Sequence, residues 1–318
     1  MKKMMVLWAW LWMCALPAWA GTVPAAVIVL PENQHAILVE KQTQRFYIFR
    51  NSQETGRLEP VFETDCSTGE NPGPKEKEGD KKTPEGVYFL IDEYEEKYLT
   101  PIYGARAFPT DYPNFLDLHR GKTGYAIWIH GTDKVLKPRD TNGCIALENR
   151  DVAALSRYVT RHVTPVIIQE TLAYAGALEV ADRARTVRAF VDQWVQAHVF
   201  GTADQYLSFY APGHQPDIRW WEAWETLRLP RHPGGEPVRI QTAGLGAYAH
   251  ETTLVVVMEF ALVLGDRRIG LGRRKLFVED QGAFGLQIVG DLFQVLEKGI
   301  DAAADPLVSA AQALHKLR

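Results

Sequence analysis

Cys144, His130 and the polar turn Thr141-Asn142-Gly143 are the residues whose types and spacing could carry covalent chemistry. An attacking thiolate needs a base within hydrogen-bond reach, a group that orients the base, and amide donors for the oxyanion. One loop separates His130 from Cys144, so folding that loop back brings the pair together. Gly143 places no Cβ where a substrate would lie beside the thiol. The amides of Asn142, Gly143 and Cys144 lie where an oxyanion would develop, and the Thr141 hydroxyl can brace the turn. Three other roles compete for Cys144: a buried residue beside the aliphatic Ile145-Ala146-Leu147, half of a disulfide with Cys66, or a metal ligand. A zinc site needs three or four ligands. Only His119, His130 and Asp133 stand near the cysteine, without CxxC or HxxxH spacing. No metal and no cofactor is expected.

The compartment decides which of these roles are open. Lys2-Lys3, the apolar run Met4 to Leu16 and the small-x-small Ala18-Trp19-Ala20 read as a cleaved secretory signal over residues 1–20. The run is too short to cross a bilayer of roughly 30 Å. No later segment has the length of a membrane helix, so a periplasmic mature chain with no membrane span is expected from about Gly21. Only Cys66 and Cys144 remain in it, too few for a disulfide framework. Cys66 reads as a packing residue at a strand end. The net charge of −4 argues against nucleic acid as a partner.

The elements that must position these residues read as two units. In residues 21–176, HAILVEKQTQRFYIF (35–49) predicts a hairpin about Gln42-Thr43-Gln44. Val61 to Thr64 reads as a strand. The Gly-, Pro- and Lys-rich CSTGENPGPKEKEGDKKTPEG reads as a solvated loop. Gly86 to Asp92 resumes a strand. In GYAIWIH (124–130) the period of two puts Tyr125, Ile127 and Ile129 on one face and Ala126, Trp128 and His130 on the other. Asn149 reads as the N-cap of a short helix, and Val166 to Gln169 as a closing strand. In residues 177–318, Val187, Phe190, Val191, Trp194, Val195 and His198 predict an amphipathic helix over 182–199. Long strands over 252–264, 268–279 and 284–289 and an alanine-rich terminal helix from Asp301 follow, an α+β pattern. Trp220, Trp221 and Trp224 pose a choice between sugar stacking and packing. Arg219 and Arg228 pose one between acidic peptides and solvent. Lys134, Lys137 and Arg139, in the loop between His130 and Cys144, could hold a substrate carboxylate.

TPEGVYFL (83–90), IWIHGT (127–132) and TNGCIALENRDV (141–152), in that order, resemble the catalytic domain of the YkuD-type L,D-transpeptidases. The resemblance implies a mainly β sandwich with Cys144 as nucleophile, His130 as its base and the Gly131 carbonyl as the orienter of the imidazole. It implies peptidoglycan stem peptides as substrate. Two positions depart from the usual pattern, with Asn142 where many members have His and Ala146 where many have Arg. Gly-Cys-Ile-Ala-Leu resembles the subgroup of L,D-carboxypeptidases that set cell shape. Those carry a C-terminal α+β cone of the nuclear-transport-factor-two type, which TADQYLSFYAP (202–212) and the late strands fit. That subgroup implies hydrolysis of the diaminopimelate–D-alanine bond, with Asn142, Gly143, Thr141 and Arg139 at the oxyanion and substrate side. A transpeptidase, and a wall-binding protein without activity, are the rival functions. The C-terminal unit is expected to fold separately and to hold substrate.

Overall fold

A computed structural model describes residues 21–228, 238–264 and 267–295. The signal-like segment 1–20 and the terminal helix expected from Asp301 lie outside the described residues. The strands are β1 (Thr22–Pro24), β2 (Val27–Val29), β3 (His35–Glu40), β4 (Arg45–Asn51), β5 (Leu58–Asp65), β6 (Gly86–Phe89), β7 (Tyr94–Glu95), β8 (Arg106–Pro109), β9 (Trp128–His130), β10 (Ile145–Ala146), β11 (Pro165–Gln169), β12 (Tyr174–Gly176), β13 (Val238–His250), β14 (Thr253–Leu264), β15 (Arg267–Asp280) and β16 (Leu286–Val295). The helices are α1 (Phe115–His119), α2 (Asn149–Ala154), α3 (Ala177–Phe200), α4 (Ala203–Leu207) and α5 (Trp221–Arg228).

Strand periodicity explains how these elements stack. In β3, Ala36, Ile37, Leu38 and Val39 are all fully buried, so this strand has apolar matter on both faces. Ile37 and Val39 enter one core, and Ala36 and Leu38 enter another. Val166 and Ile168 of β11 follow the first pair, and Ile167 follows the second. The sheet β5-β4-β3-β11-β6 therefore separates two cores. On one side it packs against the sheet β10-β9-β8-β7, through Phe108, Ile129 and Ile145. On the other side it meets the sheet β16-β15-β14-β13-β2, through Tyr248, Val255, Val257 and Phe277. The far face of that last sheet carries Val256, Met258 and Phe260 against α3. The result is a mainly β sandwich joined to an α+β cone-like unit.

Each cone-side aromatic, such as the fully buried Trp194 and Trp224, contributes about 1.5–3 kcal/mol by leaving water. Trp221 and Trp224 belong to this core, so packing accounts for them. Arg228 is buried as well and donates to the His198 and Gly201 carbonyls, so it does not face a peptide ligand. Arg219 is exposed and paired with Asp217.

Two sequence expectations need correction here. The helix expected over 182–199 starts earlier, at Ala177, directly after β12, so no linker separates the units. Residues 21–176 also do not hold all of their own strands. Val27–Val29 joins the C-terminal sheet, with Val27 opposite Tyr248 and Val29 opposite Ala247. Val27, Leu38, Phe89 and Ile167 share one core with Tyr248, Val255 and Phe277. Two units with a common core do not have the independence that the sequence division implies.

Candidate functional site

β9 and β10 are parallel neighbours, with Ile129 opposite Ile145 and His130 opposite Ala146. Alternation sends both isoleucines into the core, where each is fully buried. His130, Ala146 and, one residue beyond the ladder, Cys144 take the other face. Adjacent strands with a two-residue offset place Cβ atoms roughly 8 Å apart. An imidazole and a thiol can close that span between them.

The His130 ring is buried, with Nδ1 2.5 Å from the Gly131 carbonyl oxygen. Nδ1–H donating there leaves the Nε2 lone pair open to accept a proton. Tyr103 stands edge-on to the imidazole at 5.0 Å between ring centroids. Burial holds the imidazole below its ordinary pKa, and the Gly131 carbonyl opposes that in part. The Cys144 thiol lies 3.5 Å from the Ala126 carbonyl oxygen and donates to it. Burial pushes this thiol up, while the Trp128 N–H and the charge of Lys75 pull it down. Both shifts favour the neutral forms, a thiol at Cys144 and an imidazole at His130.

A pH profile follows from these directions. A base with a lowered pKa stays unprotonated further into acid. Activity is expected to be retained as pH falls through 6.5, the ordinary imidazole value, and to be lost only below it. The acid limb of kcat/KM measures this; a midpoint above 6.5 would contradict the neutral-imidazole assignment.

Ala126 is where strict alternation fails. Its φ of 56° is left-handed, an unusual conformation for alanine. The chain turns there, so Tyr125 points outward at 72 % exposure instead of joining Ile127 and Ile129 inside. The same bend aims the Ala126 carbonyl at the thiol.

The turn before Cys144 is braced as the sequence suggests, with one change. Thr141 Oγ1 donates to the Cys144 carbonyl at 2.7 Å and accepts from the Gly143 amide at 3.1 Å. The Gly143 N–H is thus spent inside the turn, leaving the Asn142 and Cys144 amides as the oxyanion candidates. Gly143 has φ +127°, and a Cβ there would come within 2.7 Å of the Lys82 carbonyl oxygen. The glycine makes room for the 70–83 segment, not for a substrate.

That lysine-rich segment is a folded wall of the site, where the sequence suggested solvated loop. The Lys75 side chain is buried and pairs with Asp80 at 2.7 Å. Asp80 also accepts from the Glu76, Lys77 and Lys82 amides. Thr83 Oγ1 donates to the Gly143 carbonyl at 2.9 Å, fastening the wall to the cysteine turn. Arg139 is directed elsewhere: its guanidinium meets Glu170 at 3.1 Å, next to the buried Lys41. Cys66 is buried with its thiol pushed up to about 12, and both cysteines are free.

Sequence reasoning missed the role of Asn149. The helix cap is Glu148, which makes no side-chain cap bond. Asn149 Oδ1 instead accepts from the Ala105 amide at 2.9 Å and the Thr132 amide at 3.2 Å, and Nδ2 donates to the Thr132 carbonyl at 2.9 Å. A Cβ on Gly104 or Gly131 would come within 2.0 or 2.1 Å of that Oδ1. The amide thus clamps the peptide next to the carbonyl that orients His130. Nothing local in TNGCIALEN signals this, because Asn at a helix start reads as a cap whether or not it caps.

Residues 34–168 match the family model of the L,D-transpeptidase catalytic domain. Among solved structures, Bd1075 of Bdellovibrio bacteriovorus is similar, with TM-score 0.70 and 24 % identity over 87 % of this chain and 99 % of that one. The helical cell shape determining protein Pgp2 of Campylobacter jejuni is similar too, with TM-score 0.64 and 24 % identity over 85 % of this chain and 95 % of that one. At that identity the likeness is one of fold, and it spans both units. No curated protein sequence matches the chain.

Proposed function

We propose, taking residues 34–168 as an L,D-transpeptidase catalytic domain, that the chain is a periplasmic L,D-carboxypeptidase of peptidoglycan, acting in the control of cell shape. One observation carries the reading: an imidazole held by the Gly131 carbonyl through Nδ1, on the ladder face that Cys144 joins. Cys144 gives its proton to His130 Nε2 as its sulfur bonds to the diaminopimelate carbonyl carbon. The Asn142 and Cys144 amides receive the oxyanion. Collapse breaks the C–N bond, and the imidazolium proton goes to the departing D-alanine amine. Water then gives its proton to His130 and attacks the thioester, and the thiol leaves reprotonated.

Ala146, opposite His130 in the ladder, has no polar group with which to hold an amine acceptor. That supports hydrolysis over cross-linking. With disaccharide tetrapeptide as substrate, the expected product by mass is the tripeptide with free D-alanine. Cross-linked dimers or D-amino-acid exchange without accumulating tripeptide would make the chain a transpeptidase. The C-terminal unit contains no cysteine and serves to hold substrate.

A further inference from the structure

β15 sends its side chains alternately to the two faces of its sheet. Leu276 and Val278 enter the core against α3, and Arg274 lies over the Trp194 and Phe260 rings there. Arg273, Lys275 and Phe277 therefore face the seam with the catalytic unit, where Phe277 joins the shared core. At the edge of that seam lies a cavity of about 310 Å³, lined by Phe89, His162, Arg273, Lys275, Leu292 and Gln294 among others. Neither Cys144 nor His130 lines it.

The cavity lining carries the cations Arg273 and Lys275 and the carboxylate Asp111. Lys275 Nζ is 2.6 Å from Asp111 Oδ2 and sits 4.1 Å over the Phe89 ring. Asp111 Oδ1 accepts from the Phe89 amide at 2.8 Å, so each oxygen of this carboxylate has a partner within the protein. Arg273 donates to the His162 carbonyl at 3.2 Å and has no carboxylate within ion-pair distance among the described residues. Burial disfavours its charge, and Glu259, its cross-strand partner on β14, favours it. His162 is held at a left-handed φ of 62°. Its imidazole is kept low by burial and by repulsion from Arg273, Lys275 and Arg161, which Asp111 offsets in part. Two cations and one carboxylate line the cavity above an apolar floor, with Glu259 across the ladder from Arg273.

We propose that this seam cavity is a carboxylate subsite, in which the Arg273 guanidinium receives a peptide carboxylate and the Phe89 and Leu292 floor receives the adjoining apolar part. A planar fork suits the two oxygens of a carboxylate. The volume suits a single amino-acid terminus. The identity of the peptide rests on the peptidoglycan reading above, since stem peptides end in free carboxylates.

The test uses the full mature chain carrying Cys144→Ala, so that ligand is bound and not consumed. Calorimetry with disaccharide tetrapeptide is expected to show binding that weakens at least tenfold in Arg273→Gln and less in Arg273→Lys, which keeps the charge but loses the fork. The same ligand with its carboxylates amidated should bind as weakly to the Arg273 chain as the parent ligand does to Arg273→Gln. Binding should also raise the His162 titration midpoint by NMR, because a nearby anion favours the protonated imidazole. Unchanged affinity in Arg273→Gln, equal binding of the amidated ligand, or displacement by equimolar inorganic phosphate would overturn the subsite. D-Alanine release by the chain with Cys144 intact separates the two readings. Release with unchanged Arg273→Gln binding removes the subsite alone. No release with Arg273-dependent binding removes the proposed activity and leaves the subsite standing.

Discussion

Cys144→Ala is expected to abolish D-alanine release, by on the order of 10⁴-fold or more, while the chain stays folded. The change removes one thiol and its 3.5 Å contact with the Ala126 carbonyl. It leaves intact the Thr141 and Thr83 bonds that hold the turn. His130→Ala should cost a similar amount, and the double variant little more than either, because a nucleophile and its base act as a unit. Product release measured by mass, beside a thermal melt of each variant, decides the matter. A tenth of wild-type turnover surviving in Cys144→Ala would remove the cysteine from the mechanism.

Asn149→Ala should be the most damaging change among residues that touch neither substrate nor thiol. Its three hydrogen bonds, each worth about 1 kcal/mol, tie Ala105 and Thr132 around the Gly131 carbonyl. Loss of the amide frees that carbonyl to drift and the imidazole with it. A displacement of about 1 Å in catalytic geometry can cost about 100-fold, and the loss should fall on kcat with KM little changed. Asn149→Asp keeps the acceptor for both amides but loses the donor to Thr132, so it should recover part of the rate. If Asn149→Ala retains kcat, or if KM alone rises, the amide does not act through His130.

Much of the cysteine site is legible in the chain because it is built from neighbours in sequence. His130, Gly131, Thr141 and Cys144 lie within one loop and its flanks, and the strand that ends in His130 is visible in WIH. What is hidden comes from distant segments. The lysine-rich stretch looks unable to bury itself, yet Asp80 satisfies its amides and turns Lys75 inward. Asn149 looks like a cap because the chain at 104–105 that it grips is about 45 residues away. β13, with Gly244 and Gly246 and a register shift beside them, has poor strand character of its own and is held by pairing with β14. Arg139 looks like a catalytic-loop cation, and only the fold shows Glu170 within its reach.

Val27–Val29 has a consequence for the order of events in folding. Its partner Tyr248 lies more than 200 residues later in the chain. Synthesis runs from the N-terminus, so this apolar strand emerges first and waits for β13 to complete its sheet. Closure over so long a span comes late, after local hairpins such as β3–β4 have formed. Until then Val27, Ile28 and Val29 present an unpaired edge of high strand propensity, a feature that favours pairing between chains. A fragment ending at residue 176 never receives the partner strand. It is left with that edge, and with the apolar faces of Leu38, Phe89 and Ile167, open to water.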